Sequence, residues 1–277
     1  MMSAQQFKLT QKIILTVIMI ALAILSIMPF LWMLSASFKP TADVFKFPVE
    51  WIPKKFTFDN YITVWKANFN TYFFNSSKVT VVTVVGEVIT SSLAGYAFAK
   101  MKFKGKEIVF LLYIATLIFP NEMLLVPRFV LYRLMGLYNT LWALMLPGIF
   151  TAFGTFLFRQ FIETIPDELI EAAKLDGCSH FKAYLRVVLP LSLPVISTLV
   201  IFSFVGSWNN YENALVFLSD KTQFTLPLGL LQFQSDEQTN YGAIMAASVI
   251  SLLPIFTVFL GLQKYFVEGI STAGMKG

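Results

Sequence analysis

Six apolar blocks dominate the pattern of hydrophobic and polar positions along this 277-residue chain. They run over residues 13–38, 79–99, 108–126, 140–161, 187–205 and 243–266. A helix that crosses a membrane needs roughly 20 mostly apolar residues, because the hydrocarbon core is about 30 Å thick. Each block meets that length. The pattern therefore predicts an all-α integral membrane protein in which six transmembrane helices form a single domain over residues 1–277.

The composition agrees with burial of most of the chain in lipid or protein. Hydrophobic residues make up 56% of the sequence and charged residues 13%, whereas average soluble domains contain about 25% charged residues. The formal net charge is +5. Because the basic residues stand in short runs between apolar blocks, and not on one polar face, we expect no nucleic-acid partner. With one histidine and one cysteine, we also expect no metal site.

Several apolar blocks contain proline, which removes a backbone donor and bends a helix. The positions are Pro29, Pro120, Pro147, Pro190, Pro194 and Pro254. Two interpretations are open. The prolines produce ordinary kinks, or they mark bent helices that line a pathway, since broken backbone is tolerated in a membrane where neighbouring helices or a cavity satisfy it.

The lysines between the second and third blocks predict the orientation. The segment 100–106 contains Lys100, Lys102, Lys104 and Lys106. The positive-inside rule places such a short basic loop in the cytoplasm. With six spans, both termini and the segment 163–186 are then also cytoplasmic. The segment 39–78 is outside, although it carries six lysines, because long loops contribute less to the rule.

The segment 163–186 has the pattern of a helix, a turn and a second helix. Thr164 is a suitable N-cap, and Pro166 suits the first helical turn. Asp176 and Gly177 end a run of good helix formers, because glycine tolerates the left-handed conformation that terminates helices. A short surface helix that ends in a glycine turn is suited to docking in a groove of a partner protein.

This segment resembles the signature of the membrane permease subunits of bacterial ABC importers. The signature is Glu-Ala-Ala, three residues, Gly, nine residues, Ile, any residue, Leu-Pro. The residues that match it in register are Glu171, Ala172, Ala173, Gly177, Leu189 and Pro190, and Val187 stands where isoleucine is usual. The resemblance implies a type I ABC importer transmembrane fold with a cytoplasmic coupling helix between helices 4 and 5. It further implies that an ATPase subunit contacts Glu171, Ala172, Ala173, Lys174, Asp176 and Gly177.

Three further stretches resemble the carbohydrate-uptake branch, and specifically maltose-type permeases of the shorter, MalG-like kind. They lie at 94–106, at 206–209 and at 268–277. In that family the tail reaches toward the ATPases, which implies such a role for Gly274, Met275, Lys276 and Gly277. The implied function is uptake of sugars or oligosaccharides through a bacterial cell membrane, either an inner or a plasma membrane.

The resemblance also implies the other subunits. They are a second homologous permease, two ATPase subunits and an extracytoplasmic solute-binding protein. The chain contains no phosphate-binding P-loop, since Gly105-Lys106 is followed by Glu107 where that motif requires Ser or Thr. We therefore expect a non-catalytic subunit without a cofactor of its own, and ATP and Mg²⁺ bound by the partner ATPases.

A few polar residues lie within or beside the apolar blocks and are candidates for the substrate pathway. They are Glu87, Asn121, Glu122, Trp208, Asn209, Asn210, Tyr211 and Glu212. Glu87 is costly in mid-membrane. Its carboxyl group contacts a translocating sugar, or it forms a hydrogen bond or ion pair with another helix, or it is protonated. The cluster after residue 207 combines aromatic, amide and carboxyl groups, as sugar sites do, and an interfacial anchor belt has the same composition.

Other transporter classes fit parts of the pattern. An ABC permease for glycerol phosphate or a peptide keeps the coupling signature, but the near absence of Lys and Arg in mid-span favours a neutral sugar over an anion. An ion-coupled secondary transporter is expected to show midplane ion sites and often inverted repeats, and Glu87 is the one clear midplane acid. We find no catalytic constellation that indicates a membrane enzyme.

Overall fold

The computed structural model describes residues 4–234 and 239–274, with side chains described for residues 10–234 and 239–265. All regular structure within these residues is helical. The α-helices are α1 (Ala4–Ser37), α2 (Asp59–Lys66), α3 (Phe69–Lys100), α4 (Lys106–Ala115), α5 (Leu125–Leu134), α6 (Trp142–Ile149), α7 (Ala152–Glu163), α8 (Asp167–Leu175), α9 (His180–Ala183), α10 (Leu189–Leu191), α11 (Leu193–Trp208), α12 (Tyr211–Phe217), α13 (Leu226–Gly229) and α14 (Tyr241–Gly274).

Four helical stretches in the described residues are long and apolar enough to cross a membrane. They are Thr10–Ser37, Phe69–Lys100, Trp142–Glu163 and Tyr241–Tyr265. The most apolar window of the first stretch buries no residue against the rest of the chain. Its apolar surface is therefore available to lipid or to another protein.

Two further apolar stretches are sharply bent. Lys106–Ile118 and Asn121–Leu134 meet at 92°, and His180–Leu191 and Leu193–Trp208 meet at 76°. Proline explains both bends, because Pro120 lies at the first break and Pro190 and Pro194 flank the second. The described residues therefore contain four helices able to cross a membrane, or up to six if each bent pair is one span.

The described residues divide into two compact units. One consists of Met1–Asn68 and Gln232–Ile250. In this unit the buried Asn60 of α2 donates hydrogen bonds from Nδ2 to the carbonyls of Ser37 (2.9 Å) and Lys39 (2.7 Å). A helix end leaves its last carbonyls without intrahelical partners, and Asn60 supplies partners where α1 ends.

The other unit consists of Phe69–Leu231 and Ser251–Gly277, and α3 lies at its centre. This helix packs against α6, α7 and α11. Two glycines permit close approaches of α6 and α7: a Cβ on Gly148 of α6 would lie 2.4 Å from Thr83, and a Cβ on Gly154 of α7 would lie 2.3 Å from Ser91. Small residues of this kind allow membrane helices to approach each other closely.

Gly95 of α3 provides a test of this packing. A Cβ at that position would lie 2.5 Å from Cβ of Phe158 and 2.9 Å from the backbone nitrogen of Arg159. We expect Gly95→Ala to destabilise the protein by about 1–3 kcal/mol, the usual cost of overpacking, as measured by thermal unfolding in detergent. Gly261→Ala is the matched control, since no atom lies within 4 Å of a Cβ there. An equal effect of both substitutions would contradict close α3–α7 packing.

Candidate functional site

The loop at 163–186 folds as two helices around a tight turn. Thr164 is the C-cap of α7, and its hydroxyl donates to the Phe161 carbonyl at 2.7 Å. The prediction that Thr164 caps the next helix is therefore wrong. α8 begins at Asp167 after Pro166, which occupies the N-cap position. The extended backbone of Pro166 separates the two helices, and no side chain caps the start of α8.

The α8 C-terminus confirms the glycine turn. Gly177 has φ +80°, a conformation that costs a residue with a Cβ about 1–2 kcal/mol. The amide of Gly177 donates to the Lys174 carbonyl at 2.9 Å, and the amide of Cys178 donates to the Ala173 carbonyl at 2.9 Å. This is the hydrogen-bond pattern of a Schellman motif. It fixes the direction in which the chain leaves α8.

The two faces of α8 have different surroundings. Ile170 and Ala173 are buried in an apolar cluster with residues of α7 and α9. On another face, Leu169, Ala172 and Leu175 recur at helical spacing and are exposed, and Leu175 is 90% exposed. Of the other residues predicted to contact an ATPase, Glu171, Lys174, Asp176 and Gly177 are also exposed.

One face of α3 makes polar contacts with this loop. Ser92, Tyr96 and Lys100 are spaced by four residues and therefore lie on one face of the helix. The Ser92 hydroxyl shares a hydrogen bond with the Tyr184 hydroxyl at 2.8 Å, and the Tyr96 hydroxyl shares one with Nδ1 of His180 at 3.2 Å.

Lys100, at the end of α3, makes the third contact of that face. Its Nζ donates to the carbonyl of Ile165 and to Oδ1 of Asp167, both at 2.6 Å. The lysine side chain is 8% exposed, so it is tied to the start of α8 and is not a free charge of the basic loop. Its ammonium group lowers the pKa of the exposed Asp167 carboxyl, so the ion pair is complete at neutral pH.

Glu87 lies beside a break in the helix formed by α6 and α7. The break consists of Phe150 and Thr151. The Thr151 hydroxyl donates to Oε1 of Glu87, and the α7 amide of Gly154 donates to the Thr151 oxygen at 3.1 Å. Glu87 is 5% exposed. A buried polar group is costly unless it is hydrogen-bonded, so the Thr151 hydroxyl offsets part of the cost of burying the Glu87 carboxyl group.

A cavity of about 710 Å³ opens beside Glu87. Its walls come from α3, α5, α6, α7, α11 and α12 and from the break after Phe119. Its polar lining residues are Thr83, Glu87, Thr116, Asn121, Arg128, Tyr132, Thr151, Ser203, Ser207, Asn210 and Asn213. A few hydroxyl, amide and charged groups within a largely apolar lining are typical of sites that recognise a small polar ligand.

The cavity includes three of the residues predicted for a substrate pathway, namely Glu87, Asn121 and Asn210. Trp208 does not line it: its ring stacks on Phe204, and Nε1 donates to the Ser251 carbonyl at 3.1 Å. Asn209 donates to the Val205 carbonyl at 3.0 Å. The other predicted residues that do not line it are Glu122, Tyr211 and Glu212.

Sequence reasoning missed the other eight polar residues of the cavity, which are Thr83, Thr116, Arg128, Tyr132, Thr151, Ser203, Ser207 and Asn213. Arg128 follows the predicted third span, and Asn213 follows the polar cluster that was singled out. Helical periodicity could have found Arg128, because Leu124, Arg128 and Leu131 recur on one face of the helix and all three line the cavity.

The predicted tail is only partly described. Gly274 is the last residue of α14. Met275, Lys276 and Gly277 lie outside the described residues.

Comparison with known proteins identifies the family. Residues 88–272 match the family model described as the binding-protein-dependent transport system inner membrane component. A probable ABC transporter permease protein, YurM of Bacillus subtilis, is 37% identical over 255 residues, which cover 90% of this chain and 83% of that protein. The arabinooligosaccharides transport system permease protein AraQ of Halalkalibacterium halodurans is 35% identical over 268 residues, which cover 95% and 96% of the two chains.

A solved structure has the same fold. It is a chain of a bacterial ABC transporter involved in the import of the acidic polysaccharide alginate. The TM-score is 0.83 at 25% identity, and the match covers 96% of this chain and 99% of that chain. The resemblance drawn from the coupling signature is thereby confirmed. This chain belongs to the binding-protein-dependent transport system inner membrane component family, the multi-pass membrane permeases of ABC transporters.

Proposed function

We propose that this chain is one permease subunit of an ABC importer that takes up oligosaccharides delivered by an extracytoplasmic solute-binding protein. The names of its relatives support a carbohydrate substrate, since one is a permease for arabinooligosaccharides and a structural neighbour belongs to an importer of alginate. The polar cavity beside Glu87 supports passage of a polar solute through the helices.

The exposed apolar face of α8 is the observation that carries the proposal. Leu169, Ala172 and Leu175 present an apolar stripe in a loop rich in charged residues. A large apolar side chain that is 90% exposed gains about 1.5–3 kcal/mol when it is buried. We propose that α8 is the coupling helix, that this stripe enters a cleft of an ATPase subunit, and that Glu171, Lys174 and Asp176 lie at the rim of the contact.

The proposed topology has six spans within one permease domain. Each of the two bent pairs then counts as one span, and the loop at 163–186 follows the fourth span. Both termini and this loop are cytoplasmic, in agreement with the lysine-rich segment at 100–106. The tail at 274–277 then lies on the side of the ATPases.

The other proposed subunits follow from what this chain does and does not contain. It has no P-loop, so two separate ATPase subunits bind ATP and Mg²⁺. A second homologous permease completes the translocation pathway. In this assembly ATP drives transport only through contacts that differ between two conformations, and α3 carries the change from α8 to the cavity through Lys100, Tyr96 and Ser92.

Reconstitution of the whole importer tests the proposed function. We expect this chain, assembled in liposomes with its second permease, ATPases and binding protein, to take up oligosaccharides only when ATP and the binding protein are both present. Uptake and ATPase activity are measured for a panel of neutral and acidic oligosaccharides, with glycerol phosphate and a peptide as comparison solutes. Uptake by this chain alone, driven by an ion gradient and independent of ATP, would instead establish a secondary transporter.

A pair of glycine substitutions tests the role of α8. Gly177 and Gly136 both have positive φ, +80° and +70°, and a Cβ added at either position would have no atom within 4 Å. Alanine at either position therefore introduces a similar backbone strain of about 1 kcal/mol. We expect Gly177→Ala to lower substrate-stimulated ATPase activity at least severalfold in an assembled complex, and Gly136→Ala to leave it unchanged. Equal stimulation in both variants would contradict a coupling role for the α8 turn.

The contact between α3 and α8 is tested by Lys100→Met. Removing the ammonium group leaves the Ile165 carbonyl and the Asp167 carboxylate without their partner, so movement of α8 is transmitted less directly to α3. We expect the number of sugars transported per ATP hydrolysed to fall while the complex stays assembled. Lys104→Met, in the same basic loop but exposed, is the control. A normal transport ratio in Lys100→Met would exclude this contact as the transmitting element.

A further inference from the structure

We propose that Arg128 gives the cavity its specificity by binding an acidic group, so that the transported oligosaccharide carries a carboxylate, as in a uronic acid. This inference deepens the proposed function and rests on it. It departs from the neutral sugar that the sequence favours, because the structure places a cation in the wall of the cavity.

Arg128 lies on α5 and shares its cavity-facing surface with Tyr132, one helical turn later. Its guanidinium donates a hydrogen bond to Oδ1 of Asn213 at 3.4 Å, a long contact for this donor. None of the ion pairs among the described residues includes Arg128. An arginine remains charged at every physiological pH, so this positive charge faces the cavity without a carboxylate partner in the part of the chain that is described.

Two other arginines of the same unit show the contrast. Arg159 is paired with Glu107 and Glu163, both at 2.8 Å, and lies over the ring of Phe110. Arg133, on the same helix as Arg128, is exposed and lies near the rings of Phe129 and Tyr138. The protein thus neutralises or stacks these guanidinium groups, whereas Arg128 has only a neutral amide as its partner.

Glu87 also lines the cavity, but it does not pair with Arg128. None of the ion pairs among the described residues includes Glu87. Its carboxyl group is instead engaged by the Thr151 hydroxyl. Glu87 therefore leaves the guanidinium of Arg128 available to a ligand.

The groups around Arg128 suit an acidic sugar. The fork of N–H donors in a guanidinium matches the two oxygens of a carboxylate. Asn213 and Asn210 are linked through Nδ2 of Asn213 and Oδ1 of Asn210 at 2.9 Å, and both line the cavity beside Arg128. Their amide groups supply donors and acceptors for sugar hydroxyls. A neutral sugar makes the amide contacts but leaves the arginine charge unpaired.

The experiment compares an acidic oligosaccharide with its carboxyl-reduced, uncharged counterpart of the same length. Uptake and stimulated ATPase activity are measured for the reconstituted importer with wild type, Arg128→Gln, Arg128→Lys and Arg133→Gln. We expect the wild type to prefer the acidic sugar. Arg128→Gln should lower the ratio of acidic to neutral uptake about tenfold to a hundredfold, the range of a charge-assisted hydrogen bond. Arg128→Lys should retain part of the preference, and Arg133→Gln should retain all of it.

Two outcomes would overturn this inference while leaving the proposed function intact. In the first, the wild-type importer takes up neutral oligosaccharides and no acidic ones. In the second, Arg128→Gln leaves the ratio of acidic to neutral uptake unchanged. If Arg128→Gln does not assemble, a ratio in Arg128→Lys equal to that of the wild type would also contradict recognition by the bidentate guanidinium. An assembled wild-type importer that transports neither sugar and whose ATPase responds to neither would count against the proposed function itself.

Discussion

The break between α6 and α7 imposes the constraint on which the rest of the larger unit depends. Within a membrane, backbone groups cannot turn to water, and each unsatisfied group costs several kcal/mol. α3 supplies partners on both sides of the break. The Thr90 hydroxyl donates to the Ile149 carbonyl. Glu87 accepts from the Thr151 hydroxyl, whose oxygen in turn accepts from the Gly154 amide. The buried acid is therefore part of the structure that allows a helix to be interrupted beside a cavity.

The same helix extends from that break to the loop at 163–186. Glu87 and Lys100 are thirteen residues apart, or about 20 Å along a helix that rises roughly 1.5 Å per residue. Lys100, Tyr96 and Ser92 bind the loop at one end, and glycines hold α6 and α7 close along the remainder. A displacement of α8 must therefore either move α3 or break these contacts. Such a contiguous element is a physical route for coupling if it has two arrangements.

The sequence predicted those turns and bends that depend on the chemistry of a single residue. The turn at Gly177 needs a residue that accepts positive φ, and Pro120 lacks the backbone donor that a continuing helix uses, so each of these residues indicates its own local structure. The prediction of an N-cap at Thr164 was wrong because the hydroxyl of Thr164 bonds to the preceding helix and not to the following one.

The cavity could be predicted only in part, because its residues come together through helix packing and not through spacing. Trp208 and Asn210 are near neighbours in sequence, yet the former packs against Phe204 while the latter faces the cavity. Arg128 and Asn213 are far apart in sequence and meet only when α5 and α12 pack together. Composition identifies candidates for such a site, but the direction of each side chain depends on how the broken helices turn.

The positions of the helix breaks separate the prolines into two groups. Pro29 and Pro254 lie inside helices that continue past them. Pro147 lines the cavity, and Pro120 lies between Phe119 and Asn121, which also line it.

The other interruptions show why their location matters. The break at Thr151 and the α11–α12 junction at Asn210 also border the cavity, whereas the bend at Ser192 does not. There the amide and hydroxyl of Ser192 both donate to the Val188 carbonyl within the same segment. The helix breaks at Pro120, Thr151 and Asn210 thus all lie beside the same cavity. This distribution is expected if the breaks exist to form a polar route between otherwise apolar helices.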